Sequence, residues 1–365
     1  MNIESVTLEN FRSAEAACLH FDAGVNLLYG DNAAGKTNVL EAIYFFARGK
    51  SFRAARESDL VRFGADGCAI DITFTRRGVR ETLGYRYFDG ARQRTKNGVK
   101  MPVRETLGVF CAVLFCPDHL SIIKRTPAER REFLNAAMAQ TSPAYVAALG
   151  RHKKLLENKN ALLRREDGFD AALMESYNEE LAAVSAEILT ARRAYLARLG
   201  DSVRRTVAEI SGGREDAQIE YKCDIPAEKS RVEDVISSYR ELFRANLARE
   251  AAAKTSLFGV QRVDLIFYVN GREARQFASQ GQQRSVVLAL KLGEANVMAQ
   301  SIGEEPVILL DDVLSELDDS RQEYLLNHMK ERQVFFTCCD PSGIRLLRDG
   351  KVFYMKEGCL TGAPL

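Results

Sequence analysis

Gly30, Asp31, Asn32, Ala33, Ala34, Gly35, Lys36 and Thr37 fit the spacing G-x-x-x-x-G-K-[ST], a pattern in which each fixed residue has a use in binding phosphate. Gly30 and Gly35 let backbone N–H groups wrap around phosphates, Lys36 sets a positive charge against the β and γ phosphates, and the Thr37 hydroxyl can take one position on Mg²⁺. The run GVNLLY before the loop predicts a strand, and NVLEAIYFFA after it predicts a helix. A helix starting there adds the positive end of its dipole to the site. A bare glycine turn with an exposed lysine would need neither flanking element.

Two further segments carry complementary chemistry. In PVILLDDVLSELD, Val307 to Leu310 form a short apolar run of the kind buried in a parallel sheet, ending in Asp311 and Asp312. Carboxylates there share the C-terminal sheet edge with the phosphate loop, so Asp311 is placed to hold Mg²⁺ through water and Asp312 to face an attacking water. A helix cap or an exposed turn would account for one aspartate, not two. Ser315 and Asp318 follow in the next loop. In FASQGQQRSVVLALKLGEA, Ser279, Gln280, Gly281 and Gln282 precede a strongly apolar helix that starts near Ser285, and such an N-terminus attracts anions. One head already has its phosphate loop, so a second anion site predicts service to another subunit's nucleotide, a sandwich dimer.

These segments need an α/β scaffold, and the chain supplies one. Its 365 residues are enough for about two domains, and 46% apolar composition supports a sizeable core. Short apolar runs, including the alternation CAIDITFTRRG, predict strands over residues 1–120. Residues 121–210 turn helical, with Met174, Tyr177, Leu181, Val184, Ile188, Ala191 and Tyr195 at alternating steps of three and four. An unbroken helix from Asp170 to Ile210 would be about 60 Å long and should project as an arm. Ser211, Gly212 and Gly213 stop it, QIEYKCDI predicts a strand, and Arg231 to Lys254 another helix within a C-terminal lobe, 211–365. The expected fold is one α/β head split by an inserted, coiled-coil-like helical arm. Lys and Arg number 51 against 50 Asp and Glu, for a net charge of +1, so a polyanion must be held by clustered charge. No apolar run approaches the roughly 20 residues of a bilayer span, and the N-terminal residues lack signal-peptide character, which predicts a soluble, cytoplasmic protein. The eight cysteines lack zinc spacing and are expected as reduced thiols.

In order, GDNAAGKT, ASQGQQR and VILLDDVLSELD resemble the P-loop, signature, Walker B and D-loop of ATP-binding-cassette proteins, in the variety found in structural-maintenance-of-chromosomes and related DNA repair ATPases. Through LENFRS, GKSFRAARESDLVRFG, CPDHLSIIKRTPAERREFLN and FASQGQQRSVVLALKL, the chain resembles the RecF family over most of its length. The resemblance implies a split ATP-binding-cassette type P-loop ATPase head, ATP and Mg²⁺ as cofactors, Arg12 contacting nucleotide, and Asn32 to Thr37 enclosing its phosphates. It implies Lys36 and Asp312 as catalytic residues and Thr37 and Asp311 as metal ligands. Ser279, Gly281 and Gln282 would touch the γ-phosphate in trans, with Ser315 and Asp318 coupling the sites. It further implies slow ATP hydrolysis used as a switch, ATP-dependent homodimerisation and binding of single- and double-stranded DNA at gap junctions. RecR and RecO would be partners in loading RecA and supporting the SOS response, with the protein associated with the nucleoid. Two departures stand out. The Gly-Pro-His-Arg-Asp-Asp stretch usual in the family reads GVQRVD, and QVFFTCCD has no switch histidine, leaving the γ-phosphate sensor there open.

DNA contact would need the basic groups. Between Arg76 and Arg104 nine Lys or Arg residues face only Glu81 and Asp89, interleaved with Tyr85, Tyr87 and Phe88. Arg76, Arg77, Arg92, Arg94 and Lys96 are the candidates there, although the stretch also fits a plain hairpin with solvated cations. Arg53 and Arg56 belong to a second group with Arg48 and Lys50, and Arg151, Lys153, Lys154, Lys159, Arg164 and Arg165 form a third on the arm. A transporter cassette would call for a switch histidine and a membrane-coupling surface, and a DNA-bridging architectural protein for a far longer coiled coil.

Overall fold

Four strands whose residues are almost all buried, Val25–Tyr29, Val334–Cys338, Val307–Asp311 and Ala112–Phe115, lie side by side and parallel in that order. Lys351–Lys356 pairs parallel with the outer side of Val25–Tyr29, and Cys359–Leu360 closes that edge antiparallel. The structure is a computed structural model that describes residues 1–165, 168–339, 350–356 and 359–360. In register, Asp311 stands opposite Thr337 and Cys338 opposite Tyr29. Because these strands run the same way, the segments after Tyr29, Asp311 and Cys338 emerge together on one sheet edge.

The P-loop helix, Lys36–Arg48, leaves that edge and buries Val39 to Ala47 throughout, the pattern of a helix covered on all sides. It is sandwiched between the parallel sheet and an antiparallel sheet ordered Ala14–His20, Asn2–Phe11, Gly67–Arg76, Val79–Phe88, Ala91–Lys96, Val99–Lys100. Phe45 meets Tyr85 of that sheet with ring centroids 4.5 Å apart. Leu40, Ile43 and Phe45 are fully buried, each worth about 1.5–3 kcal/mol. The alternation in Gly67–Arg76 is realised with Cys68, Ile70, Ile72 and Phe74 inward.

The arm helix runs from Ala171 to Ile210 as one 40-residue element, about 60 Å long. Asp170 caps its start by accepting from the N–H groups of Ala172 and Leu173, and left-handed Gly212 and Gly213 end it. It does not project bare. Its outer part packs between Pro143–Leu163 and Val232–Ala253, where Arg240 and Arg244 pair with Glu179 and Glu175. Val232–Ala253 therefore joins the arm although it lies beyond 121–210. The inner part docks on the helix Gln280–Ile302. A Cβ on Gly293 of that helix would stand 2.9 Å from Leu199 Cδ1, so the absent side chain lets the helices approach closely. The arm is thus rooted on the helix that carries the signature. Ala217–Lys222, Asp264–Val269 and Arg272–Glu273 form a third, antiparallel sheet beside it.

Candidate functional site

The P-loop follows strand Val25–Tyr29 and turns sharply at Gly30, where any Cβ would fall 2.2 Å from the Met355 carbonyl oxygen. Gly35, at φ 97°, starts the helix, and Ala33 holds φ 65°, a left-handed geometry unfavourable for a residue with a side chain. Lys36 is 7% exposed and its Nζ donates to Gly30 O at 2.7 Å, Asp31 O at 2.8 Å and Cys339 Sγ at 3.2 Å.

Asp311 arrives from the neighbouring strand end. Thr37 Oγ1 donates to Asp311 Oδ1 at 2.8 Å, and Thr337 Oγ1 donates to the same oxygen at 3.0 Å. Burial pushes the Asp311 carboxyl above its ordinary range, against the two hydroxyls and Arg53, which favour the ionised form. Asp312 takes φ 52°, with its N–H donating to Thr337 Oγ1 at 2.9 Å. Ser13, Asn32 to Asn38, Arg53, Asp312, Thr337 and Cys339 line a pocket of about 310 Å³. Hydroxyl and carboxylate oxygens converging beside a lysine and backbone N–H groups suit a hard divalent cation carried on a phosphate chain. Among the described residues no cluster of three or more His, Cys, Asp or Glu could hold a metal without such help.

The signature lies elsewhere. Ser279 caps Gln280–Ile302 in a reciprocal box, its Oγ accepting from Gln282 N at 3.2 Å and Gln282 Oε1 accepting from Ser279 N at 2.9 Å. None of Ser279, Gln280, Gly281 and Gln282 lines the P-loop pocket. Between the two runs the D-loop: Ser315 Oγ donates to Asp312 O at 2.9 Å, while Asp318 caps the next helix and pairs with Arg321. Arg321 in turn donates to Ser285 Oγ from Nε at 3.0 Å and from Nη2 at 2.9 Å. Arg321, unremarkable in the sequence, thus ties Asp318 of the D-loop to the signature helix, while Ser315 of the same loop holds the Asp312 carbonyl.

Several of the expected site residues are held by contacts within the chain. Arg12 does not line the pocket; it makes a bidentate pair with Glu41 at 2.9 and 2.6 Å and donates to Asp59 O at 2.6 Å. The Glu41 carboxylate is fully buried and needs that counter-charge, which Ser51 Oγ supplements. The neighbouring Ser13 lines the pocket instead. Arg94 is 4% exposed, stacked 4.5 Å over the Phe45 ring and bonded to Gly49 O at 2.6 Å, so it belongs to the core and is unavailable to DNA. Arg76 is taken up by Glu304 and by the Gly108 and Val109 carbonyls, Arg77 by Ile302 O, and Lys96 by Glu81. Lys159 of the arm group is buried against Glu250 at 2.7 Å. Arg53 turns to the nucleotide side, reaching Asn38 Oδ1 at 3.1 Å. Arg56 and Arg92 remain exposed, with Glu57 3.5 Å from Arg92.

A family model described as RecF/RecN/SMC N terminal domain matches residues 2–345. The DNA replication and repair protein RecF of Geobacillus thermodenitrificans (strain NG80-2) is 34% identical over 369 residues, covering 99% of this chain and 99% of that protein. Its namesake in Symbiobacterium thermophilum is 36% identical over 376 residues, covering 99% of this chain and 98% of the relative. Among solved structures, that of the recombination mediator protein RecF with ATP, from the RecFOR pathway, superposes with TM-score 0.92 at 32% identity, covering 100% of this chain and 97% of that one. The Smc head domain with an extended coiled coil from Pyrococcus furiosus, at 19% identity and TM-score 0.57 over 100% of this chain and 96% of its own, shares the fold.

Proposed function

The chain belongs to the RecF family of DNA replication and repair proteins, and on that premise we propose that it is an ATP-gated DNA clamp, closed by ATP and reset by slow hydrolysis. The observation that carries this reading is the contact between Thr37 and Asp311, 2.8 Å apart, which joins the P-loop to the strand-end carboxylate where a metal-bound phosphate would need both.

ATP with Mg²⁺ would supply the transferable γ-phosphoryl group and the cation that neutralises its oxygens. Lys36 and the N–H groups of the loop hold the phosphates, Thr37 and Asp311 offer oxygen ligands, and Asp312 orients the attacking water. Asp312 is one methylene shorter than a glutamate would be, so its reach to that water is poorer and turnover is slow. The signature residues Ser279, Gly281 and Gln282 stand apart from their own pocket and serve the nucleotide of a second copy. The D-loop, with Ser315 on Asp312 and Asp318 tied through Arg321 to the signature helix, then lets one site feel the other, and the arm rooted on that helix moves with it.

DNA would be held by the exposed cations, Arg56 and Arg92 among them, through its backbone and not its sequence. Gap junctions between single- and double-stranded DNA are the proposed target, with RecO and RecR as partners in loading RecA and supporting the SOS response. Binding of labelled gapped DNA, followed by anisotropy at several salt concentrations with ATP and with ADP, tests the clamp. Tighter binding with ATP and a steep salt slope support it; equal affinity with both nucleotides sinks it.

A further inference from the structure

A cavity at the root of the arm has no role in the scheme above. It holds about 330 Å³ between the inner part of the arm helix and the C-terminal half of the signature helix, beside Gly293, whose neighbour Ser202 lines it. Arg198, Ser202 and Arg205 stand at steps of four and three on the arm helix and so share one face, while Arg332 reaches in from the head, two residues before strand Val334–Cys338. The Arg332 side chain is 9% exposed and donates to Glu305 at 2.6 Å and to Asn296 Oδ1 at 2.8 Å. Among the described residues neither Arg198 nor Arg205 pairs with a carboxylate: the first reaches only Ser301 Oγ at 3.3 Å, the second only the Asp201 carbonyl at 3.4 Å. Ser202 is 4% exposed; its Oγ accepts from Asn296 Nδ2 at 3.4 Å, and its own O–H has no acceptor among the described residues. Three guanidinium groups thus line one cavity against the single carboxylate of Glu305, a net charge of +2. Like charges gathered in this way repel one another until an anion comes between them. A planar carboxylate satisfies one guanidinium fork, whereas a tetrahedral phosphate presents oxygens to forks arriving from the arm and from the head at once.

We propose that this cavity is a phosphate-binding site, in which Arg198 and Arg205 of the arm and Arg332 of the head share one phosphate group and so tie the arm to the head. Arg332 already holds Asn296, so the filled site fixes the arm helix to the signature helix. Free inorganic phosphate and a DNA backbone phosphate carry the same chemistry. The cavity takes a single phosphate and not a stretch of duplex, so DNA would enter it by one backbone group. The site is separate from the nucleotide pocket and does not depend on the nucleotide reading; only the DNA source rests on the clamp.

The test is calorimetric titration of inorganic phosphate at constant ionic strength, with a non-hydrolysable ATP analogue and Mg²⁺ filling the P-loop. It compares the wild type with Arg198→Gln/Arg205→Gln and Arg198→Lys/Arg205→Lys. Both side chains are exposed and have no carboxylate to lose, so urea midpoints without phosphate should not fall. The glutamine variant should bind phosphate about tenfold or more weakly, and lysine, which keeps the charge without the fork, should restore only part of the affinity. Acetate should not replace phosphate; acetate binding as tight as phosphate would make this a carboxylate site and overturn the proposal. Labelled gapped DNA separates the two sources. For a backbone phosphate, the glutamine variant should lower DNA affinity about threefold or more and the slope of log affinity against log salt by about 2. For free phosphate, DNA affinity and slope stay at wild-type values while phosphate binding is lost. Phosphate binding and DNA affinity both unchanged in the glutamine variant overturn the proposal. Failure of the clamp shows separately, as equal DNA affinity with ATP and ADP in the wild type while the phosphate titration still distinguishes the variants.

Discussion

Thr37 Oγ1 and Asp311 Oδ1 meet at 2.8 Å although 274 positions separate them in the chain, and the proposed function puts the cation on these two oxygens. Removing either partner should therefore abolish the dependence of nucleotide affinity on Mg²⁺. In Thr37→Ala, titration of labelled ATP with and without Mg²⁺ should give nearly the same affinity, at least tenfold weaker than the wild type with Mg²⁺, as expected for loss of about 1.4 kcal/mol or more. A retained Mg²⁺ effect would place the cation elsewhere.

Asp311 also makes a pH prediction. Burial raises its folded-state pKa above the unfolded value, so its stabilising share is complete below the unfolded pKa, about 4, and is lost as pH rises through the folded pKa. Asp311→Asn keeps an acceptor for Thr37 and Thr337 without the buried charge. Without metal, the variant should be more stable than the wild type at pH 8 and should converge with it below about pH 4. Urea midpoints across that range decide it, and a less stable variant at pH 8 would contradict the account.

Glu41 is fully buried under the Arg12 guanidinium. Glu41→Ala leaves that guanidinium without its partner and should cost about 3 kcal/mol in denaturant unfolding, whereas Arg12→Ala should also destabilise by stranding the carboxylate. If Arg12 acted on nucleotide alone, Arg12→Ala would change ATP affinity and leave stability untouched.

Exposure separates the basic residues. Arg94→Ala should lower stability by about 2 kcal/mol through lost packing and an orphaned Gly49 carbonyl, with any loss of DNA affinity following the unfolded fraction. Arg56→Gln should leave the unfolding midpoint unchanged and reduce the slope of log affinity against log salt by about 1. An unchanged slope would remove Arg56 from the DNA surface.

Much of this architecture was legible in the sequence because its signals are local. The spacing from Gly30 to Thr37 carries its own strand and helix, and the apolar run before Asp311 identifies a buried parallel strand, whereas the signature helix expected to start near Ser285 starts at Gln280, because the Ser279 cap adds a polar first turn that apolar periodicity does not mark. The charged side chains were another matter. Arg94, Arg76 and Lys159 look alike in sequence to Arg56 and Arg92, and only long-range packing against Phe45, Glu304 and Glu250 takes the first three out of the surface. The pairing of Arg12 with Glu41 is not legible either, because Glu41 reads as one more polar helix position until the antiparallel sheet covers it. The long helix was found at its full length, but its docking on Gly293 depends on a missing side chain in a distant helix.

Ser279 bears on the dimer. Ser279→Ala removes a cap and should cost about 1 kcal/mol in the isolated head, while Ser279→Arg should leave ATP binding by the monomer intact and block association. Dimerisation by both variants equally would remove the signature from the interface.

The central claim is tested most directly by the solution mass of Asp312→Asn, measured by sedimentation with ADP and then with ATP and Mg²⁺. The substitution impairs water positioning and should trap bound ATP. The account predicts a doubling of mass with ATP alone, abolished when Ser279→Arg is added. A mass that stays single while labelled ATP is demonstrably bound would contradict the clamp.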